Sequence, residues 1–412
     1  MSAETIPDVD QFQSLLAQRF LASSKQDLLG KLKLKAWERF EEVGLPPRTH
    51  EVFRYLKMRQ FYAMRPEFAI GHPTELDIAP HILPNCQSAY LVFVNGVFTP
   101  NLSKLPERVE VLTLQKASTT YGALLSNAWN RSIQEELDPF ALVNLALQQE
   151  GAFIYVPPKC QMTTPLQILH FVSGENQGLM PRIQIFAGAH SKSEFAMTYA
   201  FENCKGLWMN QVTEIAVEDN AHVKFCQHTT PLPENIWLFD ALRSTLKRDS
   251  KIKTVQLTHG TQSVRHDYRV NLLGENGEAD LNGLWILDGN HEAHTHVLIE
   301  HHAPYCRSNQ LFKGVLNGTS QSSFEGKIYV HREAQKTEAF QRNNNLILSD
   351  GAIANSKPNL EIFADDVKAS HGATVGQLDQ EQVFYMRTRG LDTPEANALL
   401  IQGFCQEVLE RF

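Results

Sequence analysis

Histidine carries most of the reactive potential in this sequence. The stretch DGNHEAHTHVLIEHH sets His291, His294, His296, His301 and His302 within one short segment. His294 and His296 are two residues apart, so on a strand they share a face and can chelate a metal ion. No neighbouring carboxylate is evident to orient the rings, and the competing reading is a polar ladder on a solvated outer face. A second segment, KIYVHREAQKTEAFQRNNNLIL, places His331, Gln335, Lys336 and Thr337 in a polar turn. There a catalytic His–Lys pair competes with ordinary turn hydrogen bonding. The third is VKASHGATVG, where Ser370 and Gly372 leave His371 uncrowded. A near-neutral imidazole serves as proton carrier or metal ligand, or simply as a hydrogen-bonded structural group. Nothing near His371 in the chain supplies further ligands, so a metal there needs a second protein.

Cysteine chemistry is thinner. Cys86, Cys160, Cys204, Cys226, Cys306 and Cys405 are scattered, with no C-x-x-C pair among them. A local four-cysteine zinc or iron–sulfur motif is therefore excluded, and a disulfide framework is not expected in a chain of this size. The sequence contains no P-loop, no G-x-S-x-G elbow, no H-E-x-x-H helix and no G-x-G-x-x-G turn.

The chemistry must be positioned by three kinds of segment. From Val9 to about Phe68 apolar residues recur at helical spacing, with QFQSLLAQRFLA and KQDLLGKLKLKAWERFEEVG as amphipathic helices and Gly44 ending the second. Asn95-Gly96 marks a hairpin in SAYLVFVNGVFTPNLS, and DPFALVNLALQQEG returns to a helix ending at Gly151. From about Gly151 to Gly372 the helical period gives way to short branched and aromatic runs separated by Gly, Asn and Asp, which predicts a sandwich, a barrel or a β-solenoid. Leu284, Val297, Phe312, Ile328 and Leu348 fall roughly 13–20 residues apart, a spacing that suits rungs of a right-handed parallel β-helix. The fold class expected is mainly β, with that β-helix flanked by helical segments.

After Asp379 the pattern is helical again. DQEQVFYMRTRG offers Asp379 as N-cap, Gln382 as its capping-box partner and Gly390 as terminator; a second helix starts at Thr393 with Pro394 at N1. Its apolar stripe runs through Ala396, Leu400, Phe404, Val408 and Phe412 and must cover either the solenoid or another protein. The segments are thus 1–150, mainly helical; 151–378, parallel β-helix; and 379–412, helical.

A formal net charge of −8 argues against nucleic-acid or anionic-membrane partners. The start MSAETIPDVDQFQ lacks a secretory pattern, and no apolar run reaches the roughly 20 residues of a membrane span. A cytoplasmic location is expected.

Together, LNGLWILDG, SNQLFKGVLNGTS, GKIYVHREAQKTEAFQRNNNLILSDGA and KPNLEIFADDVKASHGATVGQLDQEQVFYMRTRG resemble the SufB/SufD family of the SUF iron–sulfur cluster assembly machinery, on its SufD side. The resemblance is dense from Leu281 to Gly390 and thin over nearly all the rest. It implies a scaffold subunit that is not an enzyme. Such a subunit pairs with its SufB paralogue through the β-helix and docks the SufC ABC-type ATPase through its C-terminal helices; alone, the open ends and edges of a solenoid are expected to make it a homodimer. It also implies no cofactor in the isolated subunit and an iron–sulfur cluster held transiently at the interface, where His371 occupies the histidine position of the S-H-G-A-T motif. In this reading the aromatic and cationic residues Phe384, Tyr385, Arg387 and Arg389 form the ATPase-docking surface. Three departures stand out: Asn343, Asn344 and Asn345 where the SufB paralogue carries a cysteine, Ala369 where some members have one, and Phe53 in place of a usual Trp. The rival readings are a β-helix enzyme of lyase or acyltransferase type and a purely structural homodimer.

Overall fold

The protein is described by a computed structural model covering residues 7–23, 27–47, 50–68, 76–229, 231–233, 235–259 and 262–412. Its centre is a parallel β-solenoid of two ten-stranded sheets, and from Arg182–Ala187 onward successive strands alternate between them. In the first sheet the order runs from the Val97–Phe98 and Tyr90–Val94 hairpin through Leu166–Glu175 and onward to Glu278–Leu287, Arg307–Leu316, Thr337–Ile347 and Val367–Gly376. In the second it runs from Glu110–Thr113 through Trp208–Val217, Ser263–Leu272, Glu292–His301 and Gln321–Val330 to Ile353–Ile362.

Positions paired in adjacent turns lie 29 residues apart at Asp267 and His296, and 31 apart at Gln310 and Gln341. The expected spacing of roughly 13–20 residues is thus the step between sheets, and two such steps make one turn. Burial alternates strictly along strands such as Gln321–Val330, as period-two geometry requires, and the inward side chains form one continuous core from Ala89 to Phe324. Each turn also passes a corner in left-handed backbone. His190, Asn220, Asp249, Asn276, Tyr305 and Lys336 sit there with φ of 55–62°. Their N–H groups donate to the carbonyls of Asp219, Arg248, Glu275, Pro304, Gln335 and Asp366, each one turn onward.

Eight α-helices among the described residues cover this frame: α1 (Pro7–Ser23), α2 (Leu28–Val43), α3 (Met58–Tyr62), α4 (Leu114–Thr120), α5 (Gly122–Glu135), α6 (Pro139–Leu147), α7 (Gln380–Thr388) and α8 (Thr393–Leu409). Asp27 caps α2 by accepting from Gly30 N–H, and Gly44, at φ 71°, ends it. Asn95 and Gly96 both take positive φ, the geometry that the hairpin turn demands. The strand after that turn is short, and Tyr90–Val94 pairs in parallel with Leu166–Glu175, so the solenoid ladder starts well inside the first 150 residues.

The N-terminal helices pack on the outer face of the second sheet around Phe12, Phe61, Phe140, Trp208 and Phe239. A buried ionic network fastens them. Glu136 meets Arg243 at 2.7 Å and Arg269 at 3.1 Å; Asp138 meets Arg265 at 2.5 Å; Asp267 meets Arg243 at 2.8 Å and Arg265 at 2.6 Å. Burial alone would raise the Glu136 carboxyl, but Arg243 and Arg269 outweigh it and bring it down to about 2. Phe53 keeps the aromatic role expected of its position, with the Arg265 guanidinium 4.4 Å above its ring.

At the other end α8 lies on the outer face of the first sheet, where Cys405 and Val408 close over Cys226, Val255, Leu284, Leu311 and Val315. Lys313 donates to the Phe404 carbonyl and pairs with Glu407 at 2.8 Å. The helix starts at Thr393 as expected, but Asp392 caps it in a reciprocal box with Glu395, which puts Pro394 at the second helical position and not the first. Of the expected stripe, Ala396 and Val408 are buried, whereas Phe412 is exposed. On α7, Asp379 accepts from Glu381 and Gln382 N–H, and Gly390 at φ 96° follows the helix.

Candidate functional site

His371 sits in the last strand, Val367–Gly376, which pairs on one side with Thr337–Ile347 and ends the first sheet. Ile353–Ile362 ends the second sheet in the same way. Among the described residues the final turn therefore presents unpaired strand edges, together with exposed apolar side chains at Ile353, Phe363 and Val375, and Phe340 is exposed on the turn before it. In register His371 stands opposite Gln341, which is buried and donates to Gln310 one turn earlier at 3.0 Å. Space for the Gln341 amide comes from Gly326 in the other sheet, where a Cβ would lie 1.6 Å from Gln341 Nε2. His371 itself is exposed beside a hollow of about 490 Å³ lined by Phe340, Gln341, Arg342, Ser370 and Gly372.

Among the described residues no side chain hydrogen-bonds the His371 ring, and no group of three potential metal ligands includes it. Two of the three asparagines of the preceding turn are occupied: Asn343 donates to the Phe312 carbonyl and Asn345 donates to Asn343. Burial pushes the Cys204 thiol up to about 12 and Cys226 to about 11, and raises Cys86, Cys306 and Cys405 as well. One exposed imidazole at an open solenoid end can supply one ligand or carry one proton.

The other sequence candidates separate. His294 and His296 share a face, but each has a partner: His294 Nδ1 lies 2.8 Å from Ser323 Oγ, and His296 Nδ1 lies 3.1 Å from Asp267 Oδ2. Two carboxylates do stand near them, Glu292 at 3.6 Å from His294 Nε2 and Asp267. The sequence hid Asp267 because it lies one turn back. His301 points into a buried site against Ser308, and burial pushes its imidazole down to about 3. The His331–Lys336 pair does not form, since Lys336 pairs with Asp366 and His331 with Glu300. His331 instead stacks on His302, with ring centroids 4.1 Å apart, a juxtaposition that sequence spacing alone could not disclose.

Of the proposed docking residues, Phe384, Tyr385 and Arg387 are on α7 and Arg389 caps its C-terminal end; Val383 is buried, while Phe384 and Tyr385 are 67% and 57% exposed. Arg389 lies over the Tyr385 ring at 5.0 Å and donates to its hydroxyl. No described helix is long and apolar enough to cross a membrane.

A helix-flanked parallel β-solenoid with an open final turn and an isolated imidazole on that turn defines a narrow class of protein. The chain belongs to the SufBD family: residues 170–404 match the SUF system FeS cluster assembly, SufBD core domain, and residues 9–168 match the SufBD protein N-terminal region. It is 28% identical to an iron–sulfur cluster assembly SufBD family protein of Synechocystis, over 97% of this chain and 91% of the relative. It is 29% identical to iron–sulfur cluster assembly protein SufD of Escherichia coli, over 89% of this chain and 85% of that protein. SufD of Bacillus subtilis is also 29% identical, over 65% of this chain and 61% of its own length.

Proposed function

We propose that this SUF-system family member is a non-catalytic scaffold subunit. It pairs with a SufB-type paralogue through the final solenoid turn, and the nascent iron–sulfur cluster, which is cargo, forms at that junction. The observation that carries the reading is the open last turn, with unpaired strand edges among the described residues, exposed Val375, and an unpartnered His371 that shares a hollow with Phe340 of the turn before it. Adding strands from a second solenoid would satisfy those edges and bring foreign ligands to the imidazole.

The exposed aromatic and cationic face of α7 is the docking surface for a SufC-type ATPase in this account. The helix rests on α8, and α8 rests on strands Glu278–Leu287 and Arg307–Leu316. A movement of the ATPase would thus be passed into the solenoid wall. Co-expression with the paralogue and the ATPase tests the assembly: the tagged chain should retain both on a column. Retention of neither, or a homodimer that excludes the paralogue, would overturn the proposal.

A further inference from the structure

We propose that Glu300, His302 and His331 form a binding site for a divalent first-row transition ion at a solenoid corner on the second-sheet side, separate from His371. Glu300 is near the end of strand Glu292–His301, His302 follows that strand, and His331 follows Gln321–Val330. Because His301 pairs with Val330, His302 and His331 occupy the same corner one turn apart. Their backbones are fixed there: His302 N–H donates to Leu272 O and His331 N–H to His301 O, both at 3.0 Å.

The side chains converge. The imidazole planes are 22° apart. Glu300 Oε2 lies 3.3 Å from His331 Nε2 and 3.6 Å from His302 Nε2, and the three ligand atoms all lie within 4.8 Å of one another. Metal–nitrogen bonds of about 2.0–2.1 Å put neighbouring donors about 3–3.5 Å apart, so small side-chain movements complete the site. Two imidazoles and one carboxylate are a donor set suited to Zn²⁺, Fe²⁺, Co²⁺ or Ni²⁺, and three protein ligands leave positions open.

The three side chains are each about a third exposed, at 30%, 33% and 31%. Glu300 and His302 also border a cleft of about 810 Å³ beside α5, so an ion has a route in.

The test uses the full-length protein and Co²⁺ alone as the probe. Titration followed by visible absorption should show one equivalent that His302→Ala/His331→Ala lacks and His371→Ala keeps. Equal Co²⁺ stoichiometry and affinity in the wild type and the double variant would overturn the site. Should the double variant fail to fold, Glu300→Gln keeps the shape and should weaken Co²⁺ binding by roughly tenfold or more, since even residues that merely orient a ligand cost that much. Unchanged affinity in that variant would equally overturn it.

Discussion

His371 stands directly across the parallel ladder from Gln341, yet Gln341 is buried and His371 is exposed. The difference is one turn of solenoid. Gln310 and Gln341 form a hydrogen-bonded column inside the wall, and the next member of the column, His371, has no further turn to cover it. His371→Ala should therefore change unfolding free energy by no more than about 0.5 kcal/mol, the range for exposed positions without partners. Urea unfolding of the two proteins measures this. A loss several times larger would make His371 a structural residue.

Tyr385→Ala combined with Arg387→Ala should leave a folded protein that still pairs with its paralogue but no longer retains the ATPase. Val383 and α8 hold α7 in place, and Tyr385 is largely solvent-exposed, so little packing is lost. Column retention, read together with a melting curve, separates docking from folding. A lowered melting temperature with aggregation would show that these residues stabilise the solenoid instead.

The ionic network between Asp138 and Arg265 makes the opposite prediction. Arg265→Met leaves Asp138 and Asp267 buried beside fewer cations, which should cost about 3–5 kcal/mol. Phe53 also loses the cation over its ring. Denaturant unfolding should show a clear drop in midpoint.

Acid sensitivity follows from two buried imidazoles. Burial pushes His170 and His301 each down to about 3, far below the ordinary histidine value of about 6.5. Each is neutral in the folded chain and takes up a proton on unfolding. Stability is therefore fully present above about pH 6.5 and falls as the pH drops toward 3, by up to about 1.4 kcal/mol per pH unit for each group. His170 lies between the Phe93 and Tyr199 rings, so His170→Phe should flatten the slope between about pH 6.5 and 5, before the carboxylates of the ionic network titrate. Melting temperatures across that window provide the measurement, and an unchanged slope would contradict the assignment.

The extent to which this structure was legible in the sequence depended on the range of each signal. Caps and turns are local, so Asn95-Gly96, Gly44, Asp379 and Gly390 could be read directly. The solenoid was legible as a class, because strand-like runs without intervening helices have few alternatives. Its 29–31-residue turn was not, because the corners share a backbone conformation and not a residue type: His190, Asn220, Tyr305 and Lys336 all play the same part. Side-chain meetings across turns were invisible for the same reason. His302 and His331 are one turn apart, as are Asp267 and His296, and only the register reveals either pair. The exposed position of His371 agrees with what Ser370 and Gly372 suggested, and its place where the strand pattern gives way to the C-terminal helices was legible too, whereas the Gln310–Gln341 column that it continues needed the register.

The most direct test is iron and acid-labile sulfide measured on the purified complex of this chain with its paralogue and the ATPase, comparing wild type with His371→Ala. The account predicts that the variant assembles with both partners in normal proportion while its iron and sulfide fall to background. A variant complex that loads iron and sulfide as fully as the wild type would contradict it.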